Sequence, residues 1–267
     1  MKRVLSVLVA CLILSGVFTL AGCQKKSDKL IVAMELAYPP FETKDNAGNP
    51  TGVSVDLAKA IGEYIGREVE IVDTAWDGLI PSLKTGKADL IISSMTITET
   101  RKEEVNFSDP YANAYLAVLA NKDSGIASID DLNQPGRKIA VKTGSTGFLY
   151  AQDNLKNAEI ISLADESACV TEVSQGKADG FLYDQLTIYR NNLNNPDTTT
   201  AIFIPFQNVE HWGAAVNKDN TGLLSQVNEF IAKYRADGGF DTLTEKYLKE
   251  EKEAFDLFGF QWFFDLK

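Results

Sequence analysis

Short apolar runs alternate with stretches of helical spacing along most of this chain. Residues 30–34 (LIVAM) read as a buried strand. Gly52 then precedes a segment with Val53, Leu57, Ile61 and Ile65 on one stripe and Gly66 at its end, the spacing and stop signal of an amphipathic helix. Residues 68–73 alternate like a strand, 76–84 form a short helix ended by Gly86, and 88–92 form the next strand. This βαβαβ order predicts an α/β sheet with parallel pairing. Residues 115–120 (YLAVLA) give a further strand, and the polar, turn-rich residues 121–137 mark an expected lobe boundary. A second round follows, with strands at 138–141, 160–161 and 180–183 and helices at 146–156 and 166–174. A strand at 212–216 and two helices between 220 and 249 complete the pattern.

One echo ties the two rounds together. "LKTGKADLIISS" (83–94) and "VSQGKADGFLYD" (173–184) share GKAD, and each reads as helix end, glycine cap, turn, strand and polar strand exit. Two similar lobes are therefore expected, each presenting polar groups at the carboxyl end of a strand, where open α/β sheets bind ligands.

Composition narrows the function. The 267 residues are 45% hydrophobic, enough for one large domain or two lobes of about 100 residues. With 37 acidic against 26 basic side chains and no dense basic stripe, nucleic acid is an unsuitable partner. A single histidine, His211, and no Cys/His cluster argue against a transition-metal site, and no cofactor motif is present. At the N-terminus, Lys2 and Arg3 precede an apolar run of about 17 residues and then "AGC", the order of an export signal. An uncleaved membrane anchor is the plain alternative. Cys11 leaves with the signal, so Cys169 alone remains in the body and no internal disulfide is expected.

The strand exits carry the candidate chemistry. After the strand at 88–92 come Ser93, Ser94, Thr96 and Arg101. Arg101 reads either as a surface arginine paired with Glu103 or Glu104, or as a planar fork for a carboxylate. "VKTGSTGFLY" (141–150) places Lys142, Ser145 and Thr146 where a strand gives way to a helix. Its N-terminal amides suit an anion, although Ser145 or Thr146 as a helix cap needs no ligand. The P-loop spacing is absent. Asp184 exits the second echo strand, either as the cap of the next helix or as an acceptor for an ammonium group. Together these groups match the α-carboxylate and α-ammonium of an amino acid. Tyr38 in "ELAYPPFE" and Trp76 are candidate aromatic walls.

"AYPPFE", "SSMTITETRKEEVNFSDPY" and "VKTGSTG" resemble the polar amino-acid-binding proteins of bacterial ABC importers, over about residues 29–250. The resemblance implies a type II periplasmic-binding-protein fold: two α/β lobes, each a mixed sheet flanked by helices, joined by two crossing strands and closing on the ligand. It assigns Arg101 to the ligand carboxylate, Ser94 and Thr96 (beside Ser93) to the carboxylate and ammonium, Ser145 and Thr146 to the second-lobe carboxylate contacts, and Asp184 to the ammonium. Tyr38 and Trp76 fall on the aromatic walls, and Glu35 and Lys142 on the side-chain contacts. A Glu35 acceptor with a Lys142 donor suits an amide, so glutamine is expected, with arginine or lysine as the alternative. "LAGC" at 20–23 resembles a lipobox, which implies a lipid on Cys23 and an extracytoplasmic, membrane-anchored protein. The implied partners are the importer's membrane subunits, and a monomer is expected. The implied layout is signal 1–22, tether 23–29, lobe 1 at 30–115 plus 212–250, lobe 2 at 116–211, and an extension at 251–267. Crossing strands are expected near 115–121 and 211–217. A dehydratase on the same scaffold is the enzyme alternative; it would need a cleft acid such as Glu35, and no nucleophile motif or metal set favours catalysis. The aromatic extension, "EKEAFDLFGFQWFFDLK", departs from the family pattern and is expected to pack on a lobe groove, or else to meet a partner.

Overall fold

A computed structural model describes residues 29–203 and 207–266. The proposed signal segment and Cys23 lie outside the described residues. In chain order the first lobe opens with β1 (Leu30–Met34), a ribbon of β2 (Thr43–Lys44) and β3 (Pro50–Thr51), α1 (Val53–Ile65) and β4 (Val69–Asp73). A 3-10 turn (Trp76–Gly78) then runs into α2 (Leu79–Lys84), β5 (Leu90–Ile91), α3 (Glu99–Glu104) and β6 (Asn106–Phe107). β7 (Ala112–Ala114) leads across to β8 (Leu116–Asn121), α4 (Ile129–Leu132), β9 (Lys138–Lys142), α5 (Thr146–Asn154), β10 (Glu159–Leu163), α6 (Glu166–Ser174), β11 (Gly180–Asp184), α7 (Gln185–Asn194) and β12 (Thr199–Ile202). β13 (Glu210–Trp212) leads back to β14 (Ala215–Val216), α8 (Thr221–Ala236), α9 (Gly239–Tyr247) and α10 (Lys249–Phe258).

The two main sheets share one plan. The first has the order β4-β1-β5-β14-β6 and the second β10-β9-β11-β8-β12. In each, the first three strands are parallel, and the strand arriving from the other lobe inserts antiparallel in fourth place. β5 and β11, the two echo strands, occupy equivalent central positions.

The shared GKAD has a structural cause. Gly86 and Gly176 both take positive φ, 71° and 69°, and end their helices by donating to the carbonyls of Leu83 and Val173. Asp89 then accepts a hydrogen bond from Ile31 N and pairs with Arg67, while Asp179 accepts from Lys138 N and pairs with Arg137. Each aspartate thus pins the start of its strand to the neighbouring strand.

The crossing segments differ from expectation. The pair that passes between the sheets is β7 with β13, in antiparallel register Glu210–Ala114, His211–Asn113 and Trp212–Ala112. Residues 116–121, expected at the crossing, are already the β8 strand of the second sheet, and the polar stretch 121–137 lies inside that lobe. Its polarity reflects surface turns and the capped helix α4, not a boundary. The expected strand at 212–216 is split between β13 and β14, because Gly213 and Ala214 carry the chain from the crossing into the first sheet.

The first lobe has a core that includes Leu30, Met34, Phe41, Leu57, Ile61 and Trp212, and the C-terminal extension completes it. Phe255 and Phe263 are fully buried, and Phe263 stacks on Trp212 with ring centroids 5.6 Å apart. The backbone continues the crossing: Asn113 N donates to Phe263 O at 2.6 Å, and Asn113 Nδ2 donates to Asp265 O at 2.9 Å. The extension therefore packs on the first lobe and β7 and also reaches the second lobe, where Tyr189 meets Phe255 with ring centroids 6.2 Å apart and Phe203 meets Phe260 at 5.0 Å. Cys169 is buried in the second lobe, where burial pushes its thiol up to about 12.

Candidate functional site

The exits of β1, β5, β9 and β11 and the crossing strand β13 converge on one cavity of about 40 Å³ between the lobes, room for a few water molecules. Of the eleven residues picked out by sequence, ten line it; Lys142 stands behind Glu35.

From the first lobe, Ser93 and Ser94 leave β5 into a sharp bend. Ser94 holds a left-handed φ of 47°, an uncommon conformation for a residue with a side chain and a frequent mark of a ligand site. The bend turns both serines inward. Ser93 Oγ accepts from Glu35 N at 3.0 Å, so this residue fixes the start of the 35–42 turn. Ser94 Oγ donates to Glu42 Oε2 at 3.1 Å, and Ser54 Oγ donates to the same oxygen at 2.6 Å. Glu42 is wholly enclosed, and burial raises its carboxyl to about 8 against the pull of these hydroxyls.

Arg101 lies in the first half of α3, whose cap is Thr98, and it is buried (9% exposed). Its fork donates to Thr96 O at 2.6 Å and, across the cleft, to Gly144 O at 3.0 Å. Trp76 lies beneath it, with the guanidinium carbon 5.2 Å from the ring. Burial lowers the guanidinium to about 10, opposed mainly by the charge of Glu210. The reading of Arg101 as a surface arginine paired with Glu103 or Glu104 therefore does not hold.

The second lobe supplies the opposing face. Ser145 is the cap of α5, accepting from Phe148 N at 3.1 Å, which leaves Thr146 Oγ1 free to donate to Glu210 Oε2 at 2.8 Å. Gly147 lets the helix start press on β11, since a Cβ there would sit 2.3 Å from Leu182 O. Asp184 fills both roles that sequence allowed. Its Oδ1 caps α7, accepting from Leu186 N and Thr187 N at 2.9 and 3.0 Å. Its Oδ2 is buried and has no hydrogen-bond partner among the described residues, as is Tyr38 Oη. Burial raises the Asp184 carboxyl above its usual range. The same enclosure, and next the charge of Asp184, push the Tyr38 phenol well above its own.

Lys142 and Glu35 form an ion pair that joins the lobes, and Lys142 Nζ lies 5.4 Å from the Trp76 ring. Tyr38 stacks on Phe41 and meets Tyr183 and Trp212 edge-on, closing the opposite wall.

Sequence reasoning missed Glu42, Tyr183, Glu210 and Trp212. Glu210 Oε2 accepts from both Thr96 and Thr146, and Glu210 Oε1 accepts from Gln207 Nε2 at 2.7 Å. The signal for this pair was a strand alternation: in "EHW", Glu210 and Trp212 share one face and His211 the other.

Two lobes joined by a pair of crossing strands, with buried charged groups from both lobes meeting in the cleft, define a solute-binding protein of the hinged-trap class. The chain belongs to the bacterial extracellular solute-binding proteins, family 3, whose model matches residues 30–250. It is 32% identical over 223 residues to a probable histidine-binding protein of Neisseria gonorrhoeae, covering 82% of this chain and 83% of that one. A solved ancestral arginine-binding protein bound to arginine superposes with a TM-score of 0.77 at 34% identity, over 84% of this chain and 99% of that one. An ancestral arginine-binding protein bound to glutamine gives 0.75 at 34%, over 83% and 98%. No helix among the described residues is long and apolar enough to cross a membrane.

Proposed function

We propose that this protein captures a polar L-amino acid, glutamine fitting best, between its lobes and delivers it to the membrane subunits of an ABC importer. The observation that carries this reading is the convergence, in one interlobe cavity, of a buried guanidinium and a buried carboxylate oxygen that accepts no well-formed hydrogen bond among the described residues and has only the Tyr38 hydroxyl near it. The ligand's α-carboxylate would meet Arg101 with Thr96, Ser145 and Thr146. Its α-ammonium would meet Asp184 Oδ2, and its side chain would run between Tyr38 and Trp76 toward Glu35 and Lys142. An amide offers a donor to Glu35 and an acceptor to Lys142 without adding charge, whereas a cationic side chain would face Lys142 at close range. Glu35, Asp184 and Glu210 line the cleft beside Arg101, with Glu42 raised to about 8 and Lys142 paired to Glu35 from behind, and this excess of carboxylates favours arginine or lysine as the second reading.

Because the contacts come from both lobes, the ligand stabilises the closed arrangement by its differential interaction with it. The lipobox-like "LAGC" supports an extracytoplasmic protein held to the membrane by a lipid on Cys23. Calorimetry on the delipidated mature chain with a panel of L-amino acids tests the reading. Glutamine is expected to bind tightest. Tight arginine binding with no glutamine response would overturn the amide assignment, and no response to any amino acid would overturn the class.

A further inference from the structure

Glu210 reaches the cleft from the crossing strand, not from either lobe, and it sits at the end where the carboxylate of an amino-acid ligand would arrive. One of its oxygens, Oε2, accepts the hydroxyls of Thr96 at 3.1 Å and Thr146 at 2.8 Å, one from each lobe. Arg101, whose fork donates to two backbone carbonyls and keeps its other N–H donors for an anion, has Glu210 as the leading negative charge acting on it. Gln207 holds the second oxygen at 2.7 Å and so aims the carboxylate. These are the bonds a free carboxylate would make at this place.

We propose that Glu210 is an internal competitor for the α-carboxylate position, occupying the threonine hydroxyls and the field of Arg101 that the ligand's carboxylate must take over, and thereby setting affinity for amino acids. This rests on the proposed amino-acid function. Two carboxylates beside one guanidinium repel at short range in a site shielded from water. The ligand therefore binds only as far as Glu210 yields its partners. Burial already raises the Glu210 carboxyl above its usual range, against the pull of Thr146, Gln207, Thr96 and Arg101, in the direction that eases this exchange. The same contact lets Glu210 link the lobes through Thr96 and Thr146.

The test compares the wild-type protein with Glu210→Gln and Glu210→Ala by calorimetry, using the tightest amino acid from the panel and its α-carboxamide. Glutamine at 210 keeps an acceptor for the threonines but removes the charge, and alanine removes both. Both variants are expected to bind the free acid about tenfold more tightly, with the α-carboxamide changing less than about threefold. In Glu210→Gln the ligand-induced rise in melting temperature should exceed that of wild type. Weaker binding of the free acid in both variants would make Glu210 a ligand contact and overturn the proposal, as would unchanged binding or an equal gain for the α-carboxamide. If the wild-type protein binds no amino acid, the functional reading fails first, which separates the two outcomes.

Discussion

Removing the Arg101 guanidinium should be the most damaging single change to ligand capture. On the proposed function, Arg101→Ala would remove two charge-assisted hydrogen bonds to the ligand's carboxylate, each worth about 1.5–3 kcal/mol. The total, roughly 3 kcal/mol or more, corresponds to at least a 100-fold rise in Kd at about 1.4 kcal/mol per tenfold. The substitution also strips Glu210 of its compensating cation, so the cleft gains net negative charge where an anion must enter. Some of the effect falls on the protein itself, because Thr96 O and Gly144 O lose their donor. Arg101→Lys separates these contributions: it keeps the charge but not the planar fork, and should lie between wild type and alanine. Calorimetric titration with the preferred amino acid, alongside thermal melts of each variant, gives both quantities. Wild-type affinity in a folded Arg101→Ala protein would refute this, since no other cleft group among the described residues matches that fork.

Three further outcomes follow from particular contacts. Asp184→Asn should melt close to wild type, because asparagine caps a helix about as well as aspartate, yet bind the ligand at least tenfold more weakly; a parallel loss of both would reduce Asp184 to a cap. Phe263→Ala should cost about 3–5 kcal/mol, seen as a melting temperature lower by roughly 10 °C, because the ring is fully buried against Phe41 and Trp212; an unchanged melt would contradict the packing of the extension. Glu42 holds its proton up to about pH 8 when folded but releases it nearer its usual 4.5 when unfolded. The folded state therefore binds more protons across that window, and its stability contribution, complete below pH 4.5, is lost as pH rises through 8. Glu42→Gln should flatten the fall of melting temperature between pH 5 and 8, and an identical pH profile would show that the raised acid is not there.

The elements that sequence made legible are those whose pattern is local. The stripe of α1, the alternation near β4 and the two GKAD turns needed only their own neighbours in the chain. β6, β7, β13 and β14 are two or three residues long. They are strands only because of their partners, and those partners are about 100 residues away in the chain. The crossing was therefore misplaced by a few residues, toward the more hydrophobic "YLAVLA". The site divides in the same way. Ser94, Thr96, Arg101, Thr146 and Asp184 stand at strand exits, where α/β topology concentrates ligand contacts. Glu42 becomes a buried acid only when Ser54 and Ser94 fold over it. Glu210 enters the cleft only because β13 crosses it, which no local pattern signals.

The central claim is that both α-groups of an amino acid are gripped at once, the carboxylate by Arg101 and the ammonium by Asp184. Calorimetric titration of the wild-type protein with L-glutamine, its α-carboxamide and its des-amino analogue tests that claim most directly. L-glutamine is predicted to bind tightly and each analogue at least 100-fold more weakly, whereas comparable binding of all three would contradict the account.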